Sequence, residues 1–214
     1  MYSLSPLVLG FAALTSALAV VPKAPNPYEG LVPREFTRTD GSTATIWENP
    51  MLKFVRGTHP PEAATELAKR LTYTTYENPI DGRNDYCGEA APVYTNNPTD
   101  ALASDCRLIS EAYTIPGGNA PLGYWYATPS DWTVFTPGDW SSWLTLAAIG
   151  TCKFPIRVLG TPPNVWFGAN DLRFYIRADL QHVVNNRLGS LGTVGCYNNT
   201  PGQTVTVQFS LQHT

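Results

Sequence analysis

The residues best equipped for chemistry in this chain are its four cysteines, Cys87, Cys106, Cys152 and Cys196. They show neither C-x-x-C spacing nor a neighbouring histidine, so a metal site is not expected and disulfide formation is. Four cysteines allow three connectivities, and the direction in which the side chains face narrows the choice. Cys106 sits on the apolar stripe of an expected helix and Cys152 on the inward side of an expected strand, which favours a helix-to-sheet bridge between them. Cys87 and Cys196 would then staple the entry of the domain to its last hairpin. Each bridge closes a long loop, worth about 4 kcal/mol by loop entropy. Two such bridges belong to an oxidising, extracellular setting.

Catalysis is harder to assemble. The three histidines, His59, His182 and His213, are far apart in sequence, and no G-x-S-x-G, H-E-x-x-H or phosphate-cradling glycine loop occurs. Glu111 with Asp131 or Asp139 offers the paired carboxylates that glycoside hydrolysis uses. Isolated acids among serines and tryptophans are more often solvated or capping, so no catalytic residue is assigned and no cofactor is expected. Trp125, Tyr126, Trp132, Trp140 and Trp143 form the candidate binding group: as a flat platform they would take sugar rings or sterols. Core packing explains most of them without a ligand, because tryptophan is usually largely buried. Asn198-Asn199-Thr200 is an N-glycosylation acceptor sequence, disfavoured by the Pro201 that follows.

The elements that must position these residues follow from periodicity. Over residues 99–113, Leu102, Cys106, Ile109 and Tyr113 recur at helical steps and line one face. Cys152, Phe154, Ile156 and Val158 alternate with Lys153, Pro155 and Arg157 over residues 151–158, a strand that Pro155 places at an edge or a bulge. A long helix is expected from about Asn170, capped there and followed by Asp171, to about Arg187, with Leu172, Tyr175, Ile176, Leu180, Val183 and Val184 on its apolar face. Residues 192–197 and 203–212 read as two strands joined by a turn-rich tip. The aromatic region 122–146 reads as turns joining short strands. The sum is an α+β fold: an antiparallel sheet with two main helices on one face, stabilised by disulfides.

The amino end is different in kind. Leu4 to Val21 is apolar and closes on Ala17-Leu18-Ala19, so residues 1–19 are expected to be a signal peptide cut between Ala19 and Val20, although no basic residue precedes the run. Pro6 and Gly10 interrupt it, so a stable membrane anchor is not expected. Residues 20–80 read as a proline-rich arm or propeptide, with little regular periodicity to about Pro61 and a short helix ending in the dibasic pair Lys69-Arg70, where a processing protease could cut. Residues 81–214 form the cysteine-stabilised domain. A net charge of -3 with 14% charged residues leaves no basic surface suited to a phosphate backbone, so nucleic acid is not an expected partner. The 19 prolines and 17 glycines fit a chain of many turns and short elements.

The motifs Ser104-Asp105-Cys106 opening a helix, Gly150-Thr151-Cys152-x-Phe154 on a strand, Gly168-x-Asn170-Asp171 opening the second helix and Gly195-Cys196 before the last strand, together with the early Cys87, resemble the necrosis-inducing factor family of fungal secreted effectors. The resemblance covers roughly residues 85–212. It implies a secreted virulence or killer-toxin-like protein acting on host or competitor cells, and it implies no catalytic residues. The expectation is therefore a non-enzymatic effector that binds a host or competitor surface component, whether protein, glycan or lipid. The competing expectations are a carbohydrate-binding module built on the tryptophans and a small secreted glycoside hydrolase.

Overall fold

The computed structural model describes residues 26–50, 86–95, 97–114, 124–132, 142–160, 164–198 and 203–214. Ala19, Val20, His59, Lys69, Arg70, Asp139, Trp140 and residues 199–200 of the acceptor sequence lie outside them. In chain order the strands and helices are β1 (Val32–Thr37), β2 (Thr43–Glu48), β3 (Val93–Tyr94), β4 (Ala101–Leu102), α1 (Ala103–Ala112), β5 (Tyr124–Ala127), β6 (Leu144–Ile149), β7 (Cys152–Val158), β8 (Val165–Gly168), α2 (Ala169–Asp179), β9 (Arg187–Leu188), β10 (Ser190–Tyr197) and β11 (Thr204–His213). Short 3-10 turns occupy Pro129–Asp131 and Leu180–His182. Among the described residues no helix is long and apolar enough to cross a membrane.

Alternation along β10 and β11 sets up the core. Val207, Phe209 and Leu211 are buried on one side of β11, while Thr204, Thr206 and His213 face water. Gly192 of β10 pairs with Phe209, and a Cβ there would lie 2.2 Å from the ring, so only glycine leaves the phenyl its place. The sheet has seven antiparallel strands in the order β1-β2-β6-β7-β11-β10-β3, with separate two-stranded pairs β4-β9 and β5-β8. Phe209 stacks on Tyr175 of α2 at 4.4 Å and on Phe154 of β7 at 5.6 Å. Cys106 of α1 is bonded to Cys152, two positions from Phe154 on the same side of β7. Both helices therefore cover one face of an antiparallel sheet, and the fold is α+β.

Two local expectations are corrected. Pro155 does not put β7 at an edge, because β7 runs between β6 and β11. The irregularity falls instead on the neighbour: β6 shifts register between Thr145, opposite Pro155, and Ala147, opposite Phe154. The second helix ends at Asp179 rather than near Arg187. Asn185 and Asn186 take left-handed φ values of 50° and 58°, and Val184 and Arg187 exchange backbone hydrogen bonds around them, which makes a two-residue hairpin turn where a helix was expected.

Part of the proline-rich arm falls on the described residues. Residues 32–48 are a β-hairpin whose inner strand, β2, extends the main sheet by pairing with β6. Ile46 is fully buried. Arg34 makes a forked ion pair with Glu48, and the Tyr113 hydroxyl at the end of α1 donates to Glu48 Oε1 at 2.7 Å. Tyr28 stacks on Trp47 and donates to the carbonyl of Gly150. The hairpin is tied to both α1 and the sheet.

Candidate functional site

Once α1 and α2 have turned their apolar stripes to the sheet, their polar residues meet each other. Cys106 and Ile109 of α1 and Leu172 and Ile176 of α2 are fully buried in the core. The residues next to them in helical register, Arg107, Ser110 and Glu111 of α1 and Arg173 and Arg177 of α2, line a groove between the helices. Thr114 closes it beyond α1, and Leu180 and Gln181 do so beyond α2. The groove has a volume of about 560 Å³, within the range of small-molecule sites.

Its electrostatics are unbalanced. Arg173 is 7% exposed, yet it has no hydrogen-bond or ion-pair partner among the described residues. Burial, and then the charge of Arg177 one turn on, push its guanidinium below the usual arginine range. Like charges four residues apart on a helix repel, and a charge partly withdrawn from water without a partner carries part of its desolvation cost. The one acid in the groove does not relieve this: Glu111 is engaged by Arg38 of the segment following β1, at 3.5 Å. The carbonyls at the helix ends are capped locally, Ser110 O by the Thr114 hydroxyl and Arg177 O by the Gln181 amide. Three guanidinium groups thus face the groove with no acid paired to any of them among the described residues.

The structure distributes the residues singled out in the sequence as follows. Cys106 is bonded to Cys152 and Cys87 to Cys196, the pairing favoured by the facing of the side chains, and no described cysteine is free. The aromatic group does not form one exposed platform: Trp125 is 1% and Trp132 8% exposed, both in the core. Trp125 meets Tyr113 edge-on, while Tyr126 packs on Trp166. Trp143 is half-buried under the guanidinium of Arg157, 4.4 Å from the ring centroid. Asp131 accepts from the backbone and hydroxyl of Thr128 and caps the 3-10 turn, as Glu111 is held by Arg38. His182 stacks on Tyr94 at 3.9 Å, and His213 is exposed at the end of β11. Asn198 follows β10 directly and is half-buried. Among the described residues no cluster of three or more His, Cys, Asp or Glu could hold a metal.

The motif residues turn out to hold the fold. Asp171 Oδ2 accepts from the backbone N–H of Gly168, capping α2, and from that of Tyr86 beside Cys87. Gly195 accepts from Gly88 N–H across the Cys87–Cys196 bridge. The groove arginines carried no motif. Their only signal in sequence was Arg173 and Arg177, two like charges one turn apart on an amphipathic helix with no acid between them at matching spacing.

The sequence model of one family, Hce2, described as "pathogen effector; putative necrosis-inducing factor", matches residues 86–196. The match begins one residue before Cys87 and ends on Cys196, so it spans both disulfides and both helices. No curated protein matches the chain.

Proposed function

Because the chain belongs to the Hce2 family of pathogen effectors, we propose that it is a secreted, non-enzymatic effector that acts on host or competitor cells by binding one of their components in the groove between α1 and α2. The observation that carries this reading is Arg173, a residue 7% exposed whose guanidinium stands at the wall of an open groove without a partner among the described residues. A charge kept there at a cost to the folded state is accounted for by a partner supplied from outside. Further support comes from the roles of Glu111 and Asp131, whose carboxylates are taken up by Arg38 and Thr128. The two disulfides tie α1 to β7 and the segment before β3 to β10, the kind of bracing an extracellular binding surface requires.

The test is infiltration of purified protein into plant leaf tissue. Intact protein should cause cell death, and reduced and alkylated protein should not. The doubly substituted Arg107→Glu, Arg177→Glu protein, changed only at exposed positions, should fold normally by circular dichroism and lose at least about tenfold in activity, the equivalent of about 1.4 kcal/mol of binding. Full activity in that variant would show that the groove is not the binding surface.

A further inference from the structure

We propose that the groove between α1 and α2 is a site for a phosphate monoester, held by Arg173 and Arg177 of α2 and by Arg107 of α1. The inference rests on the reading of this groove as the binding surface and adds the chemical class of the ligand. Arginine is the side chain whose planar fork matches tetrahedral oxyanions, presenting pairs of parallel N–H donors. Three such forks line this one groove, and none of them is in an ion pair among the described residues. The choice of a dianion over a carboxylate follows from the charge balance. Three arginines stand against one glutamate, and that glutamate is already turned to Arg38. A carboxylate would leave two of the three positive charges uncompensated, whereas the two charges of a phosphate monoester leave only one.

The neighbouring groups are suited to the rest of such a ligand. The Ser110 side chain belongs to a residue only 6% exposed and lines the groove with its hydroxyl unclaimed among the described residues. It can donate to a phosphate oxygen. Leu180 offers the only apolar side chain in the lining among the described residues, enough to touch a short carbon skeleton. The volume, about 560 Å³, exceeds that of the phosphate alone, so the ligand is a phosphate on a small head rather than the bare ion. Such a head could be soluble or the exposed end of a lipid, and the chemistry at the arginines is the same for both.

The experiment is thermal unfolding of the full secreted protein at constant ionic strength, with sodium phosphate, glycerol 3-phosphate or acetate replacing chloride. Vesicles of phosphatidylcholine with and without phosphatidic acid provide the lipid arm by co-sedimentation. Glycerol 3-phosphate at about ten times its dissociation constant should raise Tm by roughly 3–6 °C. Phosphate should do so more weakly and acetate not at all. Arg173→Met keeps the apolar stem and removes the charge; it should unfold at the same or a higher temperature without anion and lose the anion response. Arg177→Gln, at an exposed position, should fold normally with a response weakened at least about tenfold in affinity.

Binding to glycerol 3-phosphate without binding to phosphatidic acid vesicles identifies a soluble source, and vesicle binding that Arg177→Gln abolishes identifies a lipid one. The proposal is overturned if no phosphate compound shifts Tm and the vesicles are not bound, if acetate acts as strongly as phosphate, or if Arg177→Gln responds as the native protein does. Loss of cell death on charge reversal without any phosphate response would leave the groove as the binding surface for a different ligand. Phosphate binding with cell death unchanged by charge reversal would do the opposite.

Discussion

The carboxylate of Asp105 accepts hydrogen bonds from both the backbone N–H and the hydroxyl of Thr151, at 2.7 and 2.8 Å, immediately beside the disulfide that joins Cys106 to Cys152. Two neighbouring residues on α1 are thus fastened to two neighbouring residues at the start of β7, one pair by charge-assisted hydrogen bonds and one by a covalent bond. The Thr151 hydroxyl in turn accepts from the N–H of Leu102. Gly150 makes this approach possible: its φ is +54°, and a Cβ there would lie 2.4 Å from Asp105 Oδ2.

Asp105→Ala should therefore destabilise the protein by about 2 kcal/mol, the loss of hydrogen bonds to a charged acceptor in a half-buried place. Urea unfolding should show a lower midpoint at unchanged slope. Gly150→Ala should cost at least as much, through strain and the displaced carboxylate. Stabilities within about 0.5 kcal/mol of the native protein in both variants would mean that the latch adds nothing to the adjacent disulfide.

Replacing Cys106 and Cys152 together by Ala should cost about 2–5 kcal/mol, since the bridge closes a 46-residue separation. Cell-death activity should fall with the folded fraction. Mass spectrometry of freshly secreted, unreduced protein should find no thiol available for alkylation. A free cysteine in that material would contradict the pairing.

Asp179 is fully buried at the end of α2, where it accepts from the Ser190 hydroxyl and interacts with the Tyr94 hydroxyl. Burial pushes its carboxyl up to about 6, against the opposing hydrogen bonds from Ser190 and Tyr94. The folded state then holds this proton more tightly than the unfolded chain. The stabilisation is fully present below about pH 4 and is lost as the pH rises through about 6, a change of about 3 kcal/mol for this one group. Asp179→Asn should flatten the fall in stability between about pH 4 and pH 6 measured by denaturant unfolding. An unchanged pH profile in the variant would assign that fall to other groups.

The hairpin of β1 and β2 buries Ile46 and supplies the Glu48 carboxylate to Tyr113, so the secreted protein is expected to retain it. Amino-terminal sequencing should find Val20 as the first residue. Protein produced from residue 71 onward should be less stable by at least about 3 kcal/mol, the size of one large buried apolar side chain together with a half-buried ion pair. A secreted form that begins after Arg70 and is equally stable would show that residues 20–70 are a removable propeptide.

Glu111→Gln and Asp131→Asn should leave cell-death activity within a few-fold. Asp131→Asn should cost about 1 kcal/mol or less as a weakened cap. A loss of about a hundredfold in either, with circular dichroism unchanged, is the size expected of a general acid or base and would make the protein a hydrolase.

What the sequence determined by itself was local. The helical spacing of Cys106, Ile109 and Tyr113 and the alternation of Val207, Phe209 and Leu211 are each written within a few residues, because a helix or strand repeats its buried face at a period set by backbone geometry, whereas the cap expected at Asn170 is supplied by Asp171 to a helix that starts at Ala169. The disulfide pairing was legible for the same reason, since two of the cysteines lie on such faces. The tertiary structure decided what no single period records. In β1 and β2 only Phe36 and Ile46 are fully buried, too sparse a pattern to stand out among prolines, and the hairpin exists because β6 offers a strand to pair with. The early end of α2 depends on two asparagines in left-handed conformations, which apolar Val183 and Val184 disguised as more helix. The groove had no local signature beyond the two like charges of Arg173 and Arg177, one turn apart. Arg107 and Arg173 come together only when both helices dock on the same sheet face, and the charge balance that makes Arg173 informative depends on Arg38 drawing Glu111 aside. Long-range packing, not periodicity, sets which polar faces meet.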